Sequence, residues 1–229
     1  MSPTSPSTSQ APRRSASMSA KGVIASVKPR LRGWIHAGTA PLALAACIVL
    51  TVLAPGAGLK WACAVYLTCS LLLFANSGVY HIGTGHWPAK VAATLRRIDH
   101  ANIYLLIAGS YTPFCLIALA DHGGFVLFCV VWAAALVGMA VEAFWVFRPR
   151  WASALLYLLL GWCVVWFLPV LYASLPRPGF FLLLIGGILY SIGAGFYILK
   201  KIPYMHTVFH VFVLAGTICH FFAVELFLL

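Results

Sequence analysis

Seven long apolar segments constrain this chain more than any other feature of its sequence. Each holds about 18–25 residues, close to the ~20 that an α-helix needs to cross a bilayer. Polar or Pro- and Gly-containing turns separate them, as at Pro55-Gly56 and Arg148-Pro149-Arg150. A transmembrane barrel is excluded because the segments lack two-residue alternation and exceed the ~9–11 residues of a barrel strand. The segments are Ile35–Ala54, Leu59–Ile82, Ile103–Ala120, Phe125–Phe147, Trp151–Ala173, Phe180–Leu199 and Met205–Leu229.

The composition agrees with a chain that is solvated by lipid. Hydrophobic residues make up 62% of it and charged residues 8%, against about 25% charged in soluble domains. The net charge of +11 comes mainly from a scarcity of acids. We therefore interpret the basic residues as topology signals beside anionic lipid, and we expect no nucleic acid partner. The sequence predicts an all-α bundle of seven transmembrane helices.

The long polar segment of the chain is residues 1–33, which are rich in Ser, Pro, Thr and Arg and contain no acid. This composition predicts a disordered basic tail, followed by a transmembrane domain at 34–229. An organellar transit peptide is an alternative reading of the same composition. Thirteen of the 15 Lys and Arg residues fall on the tail and on alternate loops, which predicts a cytoplasmic N-terminus and an external C-terminus. They are Arg13, Arg14, Lys21, Lys28, Arg30, Arg32, Lys90, Arg96, Arg97, Arg148, Arg150, Lys200 and Lys201.

Polar and ionisable side chains gather at the predicted cytoplasmic ends of three helices. The second predicted helix runs inward and carries Ser77 and His81 at its end, one turn apart on the same face. The seventh runs outward and carries His206 and His210 near its start, also four residues apart. Asp99 opens the third. Topology alone therefore predicts that these five side chains lie at a similar depth.

Three of these side chains have the chemistry of a metal site. Two imidazoles four residues apart can bind one ion, and three protein ligands plus a water are typical of catalytic Zn²⁺. Such an ion lowers the pKa of its water to about 7 and polarises a carbonyl. We therefore predict Zn²⁺ at His81, His206 and His210, with Asp99 as proton acceptor and Ser77 as a hydrogen-bonding group. The alternative is that these histidines only hydrogen-bond at the level of the lipid headgroups.

The remaining titratable residues are assigned outside this site. His220 is 10 residues beyond His210, about 15 Å deeper, so we expect a buried, hydrogen-bonded histidine there. Glu142 is an intramembrane acid and either functional or paired with a nearby Arg. Retinal is excluded because residues 205–229 contain no lysine, whereas a haem on His81 or His220 stays open. The histidines not assigned to the site are His36, His86, His100 and His122.

Three separated motifs carry a family resemblance. SGVYH at Ser77–His81, RRIDHANIYLLIAGSYTPF at Arg96–Phe114, and HTVFH with the following GTICHF at His206–Phe221 resemble the hemolysin III family. That family belongs with the progestin and adipoQ receptors, and the likeness extends over nearly all of the chain from Arg32. It implies a seven-helix bundle with a cytoplasmic N-terminus and zinc on His81, His206 and His210. It also implies that Asp99 and Ser77 lie near the metal-bound water.

The resemblance also carries an expectation about activity. The receptor relatives are thought to have ceramidase-like hydrolytic activity, and bacterial members were named for haemolysis and linked to membrane-lipid homeostasis. We therefore predict a zinc-dependent hydrolase of a lipid amide or ester in a bacterial inner membrane, with membrane lipids as partners. The alternatives are a pore-forming or channel protein, and a non-catalytic membrane sensor in which zinc is structural.

Overall fold

A computed structural model describes the backbone at residues 20–145, 148–199 and 202–228, and the side chains of residues 30–226 within those ranges. The described backbone is helical and contains no strand. Its α-helices are α1 (Ala20–Leu53), α2 (Gly56–Ile82), α3 (Ala89–Pro113), α4 (Gly124–Phe144), α5 (Arg150–Gly161), α6 (Leu168–Ser174), α7 (Arg177–Ile198) and α8 (Met205–Leu228).

Within the described ranges, seven helical segments are long and apolar enough to cross a membrane. They are α1 from Arg30, α2, α3 with the turn after it, α4, α5 together with α6, α7, and α8 to Leu226. The prediction of an all-α bundle with seven spans is confirmed. The side of the membrane on which each end lies stays a prediction from the loop charges.

Two helices begin earlier than the sequence predicts. α1 starts at Ala20, inside the segment predicted as a disordered tail, and residues 1–19 lie outside the described residues. The apolar residues Val23, Ile24 and Val27 recur at helical spacing, which accounts for this extension. α3 starts at Ala89, after Pro88, and not near Asp99, because the intervening Ala, Leu, Lys and Arg residues are good helix formers. Asp99 therefore lies within α3.

Two spans are locally irregular. α3 ends at Pro113, which lacks an N–H, and continues as a π-helix over Phe114–Ala118. The predicted helix at Trp151–Ala173 is interrupted after Gly161 by a 3₁₀ segment. Tyr111 of α3 stabilises that interruption: its hydroxyl donates to the Gly161 carbonyl at 2.6 Å and accepts from the Val164 N–H at 3.0 Å. Backbone groups freed inside a membrane need such partners.

Close contact between α1 and α2 holds the candidate site together. A Cβ added at Gly33 would lie 2.7 Å from the Ile82 backbone nitrogen, and one added at Gly78 would lie 3.0 Å from Ala37 Cα. Only glycine permits this approach, because any side chain would separate the two backbones. It brings the polar residues of α1 next to the end of α2.

Candidate metal centre

The end of α2 and the start of α8 bring three histidines together. One ring nitrogen each of His81, His206 and His210 lies within 4.8 Å of the other two. The ring centroid of His210 lies 5.2 Å from that of His81 and 4.9 Å from that of His206. His81 and His210 are each only 3% exposed. This group could therefore hold a metal ion. The four-residue spacing of His206 and His210 and the position of His81 at the end of α2 predicted such a group from the sequence.

The unpaired atoms of this cluster fit a small cation. His81 Nε2, His206 Nδ1 and His210 Nε2 are buried and have no hydrogen-bond partner among the described residues. Leaving a buried polar atom unsatisfied costs about 1–3 kcal/mol, so three in one place favour a shared ligand. His206 and His210 line a cavity of about 20 Å³, the histidine chamber, which has room for one small ion or water, and His81 lines a larger cavity beside it. Imidazole nitrogens are ligands that zinc prefers.

Asp99 and Ser77 line the same chamber. Asp99 Oδ2 lies 3.6 Å from His81 Nε2 and 3.8 Å from His100 Nδ1. Asp99 is 8% exposed and Ser77 1%. The carboxylate therefore lies beside the nitrogen that His81 would offer to a metal, with a buried hydroxyl nearby.

α1 contributes two residues that the sequence reasoning left out. His36 Nε2 lies 3.1 Å from His210 Nδ1, and the Arg32 Nε–H donates to His81 Nδ1 at 3.2 Å. His36 was assigned outside the site from the sequence, and the structure places it in contact with His210. A usable signal was present, because Arg32 and His36 are four residues apart at the same end of the bundle. The pairs Ser77–His81 and His206–His210 have the same four-residue spacing.

These two contacts have opposite consequences for metal binding. If His210 binds a cation through Nε2, its Nδ1 carries the proton and donates it to His36, a common support for a metal-binding histidine. His81 differs, because an acceptor Nδ1 places the proton of a neutral ring on Nε2, facing Asp99. A cation at His81 Nε2 therefore requires that proton to leave and Arg32 to release Nδ1.

The other histidines divide into two groups. His100, which the sequence analysis left outside the site, lines the chamber, and its Nδ1 hydrogen-bonds to the Arg96 carbonyl at 2.9 Å. His220 is buried and bonds to the Leu183 carbonyl at 3.1 Å, which confirms the prediction for it. His86 and His122 lie in the connections that follow α2 and α3.

Glu142 is paired, as one of the two interpretations of its sequence position expected. It forms an ion pair with Arg148 and accepts a hydrogen bond from the Tyr157 hydroxyl at 3.1 Å. The Arg148 guanidinium also donates to Ser153 Oγ at 2.7 Å. Glu142 is only 2% exposed, so this pairing neutralises a charge that would otherwise be costly.

The chamber lies between a polar and an apolar cavity. The arginine vestibule, of about 820 Å³, is lined by Arg32, Arg96, Arg97, Arg148 and Arg150 and shares His100, Tyr197 and His206 with the chamber. The apolar cavity, of about 80 Å³, lies on another side and shares Ile103, Phe209 and Val213 with it. Of the three clustered histidines, His81 lines the vestibule, and His206 lines both the vestibule and the chamber.

Fold and site together define a class: a multi-pass helical membrane protein with a buried histidine cluster near one end of its bundle. The family model described as "Haemolysin-III related" matches residues 24–221, and the chain belongs to this family. It is 41% identical over 186 residues to the "Hemolysin-3 homolog" of Bacillus subtilis (strain 168), covering 80% of the chain and 86% of that protein. It is 40% identical over 197 residues to "Hemolysin-3" of Bacillus cereus, covering 85% and 89%. These relatives fit a bacterial membrane.

Proposed function

We propose that this protein is a zinc-dependent hydrolase that cleaves an amide or ester bond of a membrane lipid and serves membrane-lipid homeostasis. The observation that carries the proposal is the convergence of three buried imidazole nitrogens that lack a hydrogen-bond partner, one of them 3.6 Å from a buried carboxylate oxygen. Three nitrogen ligands with a free position are typical of catalytic zinc, whereas structural zinc is usually closed by four protein ligands.

Three residues of the chamber, Asp99, Ser77 and His36, each have a role in such a reaction beside the metal ligands. A bound zinc ion supplies a Lewis acid that lowers the pKa of a water to about 7 and polarises a carbonyl. Asp99 accepts the proton of the attacking water and returns it to the leaving amine or alcohol. Ser77 donates a hydrogen bond that orients the water or the carbonyl. His36 accepts a hydrogen bond from Nδ1 of His210 and so orients the His210 ring.

The two cavities beside the chamber suit an amphiphilic substrate. The apolar cavity offers space to an acyl chain, and the arginine vestibule offers space to a polar head. A linkage between the two halves of such a molecule would lie beside the chamber. A lipid therefore fits this arrangement better than a small polar substrate does.

The test is Asp99→Asn, which keeps the shape of the side chain but removes its ability to accept a proton. We expect turnover to fall by about 10²–10⁴-fold, the usual contribution of a general base, with zinc content unchanged. Fatty acid release from ceramide and phospholipid is measured by mass spectrometry on detergent-purified protein. Asp121→Asn, an exposed acid in the connection after α3, is the matched control. Wild-type hydrolysis by the Asp99 variant would refute the proposal.

Membrane lysis is a second candidate, favoured by the hemolysin names of the relatives. In that case the metal only ties α2 to α8. Dye release from liposomes containing the purified protein, at the same rate with Asp99→Asn, would support lysis. Intact liposomes together with Asp99-dependent lipid cleavage would support the hydrolase.

A further inference from the structure

The arginine vestibule concentrates positive charge at the opening of the histidine chamber. Its five arginines come from α1, α3, α5 and the segment that precedes α5. Arg32 and Arg150 also border a second cavity of about 140 Å³, where they meet His206 again. The Arg150 guanidinium lies 5.5 Å from the centre of the Tyr197 ring, which fixes it beside the chamber.

Most of this charge has no carboxylate to balance it. Among the residues the structure describes, Glu142 is the one acid that lines the vestibule, and it is taken by Arg148 and Tyr157. Asp99 lies in the chamber and faces His81 and His100. The remaining arginines of the wall, Arg32, Arg96, Arg97 and Arg150, face a shared cavity without an acid of their own.

The preference for basic residues on cytoplasmic loops does not explain this arrangement. That preference is satisfied by any position near a helix end, whether or not the side chains converge. Here three helices and the non-helical segment before α5 direct guanidinium groups to one cavity, and Arg32 and Arg150 are half-buried. The cavity volume of about 820 Å³ lies within the ~300–1,000 Å³ of typical ligand sites.

We propose that the arginine vestibule binds a phosphate group, as carried by a phospholipid head or by free phosphate. Guanidinium groups form paired, planar hydrogen bonds with phosphate oxygens, and a tetrahedral phosphate has enough oxygens for several arginines at once. A phospholipid bound in this way places the linkage to its acyl chain near the histidine chamber. That last step rests on the proposed hydrolase, whereas the binding of phosphate does not.

The experiment measures binding in the Asp99→Asn background, so that no substrate is consumed. Inorganic phosphate, dihexanoyl phosphatidic acid and dihexanoylglycerol are titrated calorimetrically into the full chain in an uncharged detergent. The test variant adds Arg96→Gln and Arg150→Gln. The matched control adds Arg30→Gln and Lys90→Gln, which remove the same charge from exposed positions at the same end, outside the vestibule wall.

We expect phosphatidic acid to bind and the phosphate-free dihexanoylglycerol to bind at least about tenfold more weakly, because hydrogen bonds to charged groups are strong. The test variant should lose at least about tenfold in affinity for phosphatidic acid, and the control little. If inorganic phosphate binds as tightly as phosphatidic acid, the site is assigned to free phosphate. If inorganic phosphate binds more weakly, the site is assigned to the lipid head.

Two results would overturn the proposal: equal binding of the lipids with and without phosphate, or an equal loss in the test and control variants. Melting temperatures show whether each variant is folded, and Arg96→Gln alone, at an exposed position of α3, replaces the double variant if that unfolds. Lipid hydrolysis without phosphate binding would reject the phosphate site and leave the hydrolase proposal standing. Phosphate binding without hydrolysis would reject the hydrolase proposal and leave the phosphate site standing.

Discussion

Replacing His36 tests whether α1 supports the proposed metal site. The Nε2 atom of His36 lies 3.1 Å from Nδ1 of His210, and the two residues are 2% and 3% exposed. In His36→Phe, the hydrogen-bond acceptor of the His210 N–H is lost and water has little access to replace it. The Phe ring should keep the edge contact that His36 makes with Phe74, with centroids 5.0 Å apart, so the change is mainly polar.

The expected effect follows from the loss of that one hydrogen bond. An unsatisfied buried N–H costs about 1–3 kcal/mol. Partners of metal-binding histidines typically contribute about 10–100-fold in metal affinity, which is the same range of free energy. We therefore expect His36→Phe to weaken zinc binding about 10–100-fold without abolishing it.

Competition between the protein and a chromophoric chelator measures this affinity in detergent. His36→Gln is the control, because its amide oxygen restores an acceptor for the His210 N–H. The Gln variant should bind zinc more tightly than the Phe variant at a similar melting temperature. Wild-type zinc affinity in His36→Phe would refute the argument that α1 supports the metal site.

Two further substitutions test the packing and the charges around the site. Gly33→Ala places a Cβ 2.7 Å from the Ile82 backbone nitrogen, so we expect about 1–3 kcal/mol of destabilisation in thermal unfolding, and weaker zinc binding. Gly38→Ala on the same helix is the control, because its Cβ meets nothing within 4 Å and should leave the stability unchanged. Glu142→Gln leaves Arg148 without its carboxylate and should lower stability by about 1–3 kcal/mol. Glu225→Gln, near the far end of α8, should change the melting temperature little, and equal effects of the two substitutions would contradict this role of the pair.

The sequence was sufficient to predict the spans and the depth of the main site residues. Hydropathy defines helix length, and four-residue spacing puts His206 and His210 on one face whatever surrounds them. The direction of each span then fixes the end at which His81 lies. Because each of these properties depends on one helix at a time, it can be predicted without knowing how the helices pack together.

Other features depend on contacts between helices and could not be predicted in this way. The interruption after Gly161 lies in a uniformly apolar segment, and it is stabilised by the Tyr111 hydroxyl from α3. The approach of His36 to His210 depends on the close contact of α1 with α2 at Gly33 and on how α1 is rotated. The convergence of the arginines likewise depends on the rotation of four segments. Basic residues counted only as topology signals do not reveal it.

Elemental analysis of the gently extracted, detergent-purified protein tests the central claim most directly. The wild-type chain should contain one zinc ion, and a His206→Ala, His210→Ala variant that still melts cooperatively should contain none, because two of its three ligands are gone. A wild-type chain without metal, or a double variant that retains its zinc, would contradict the account.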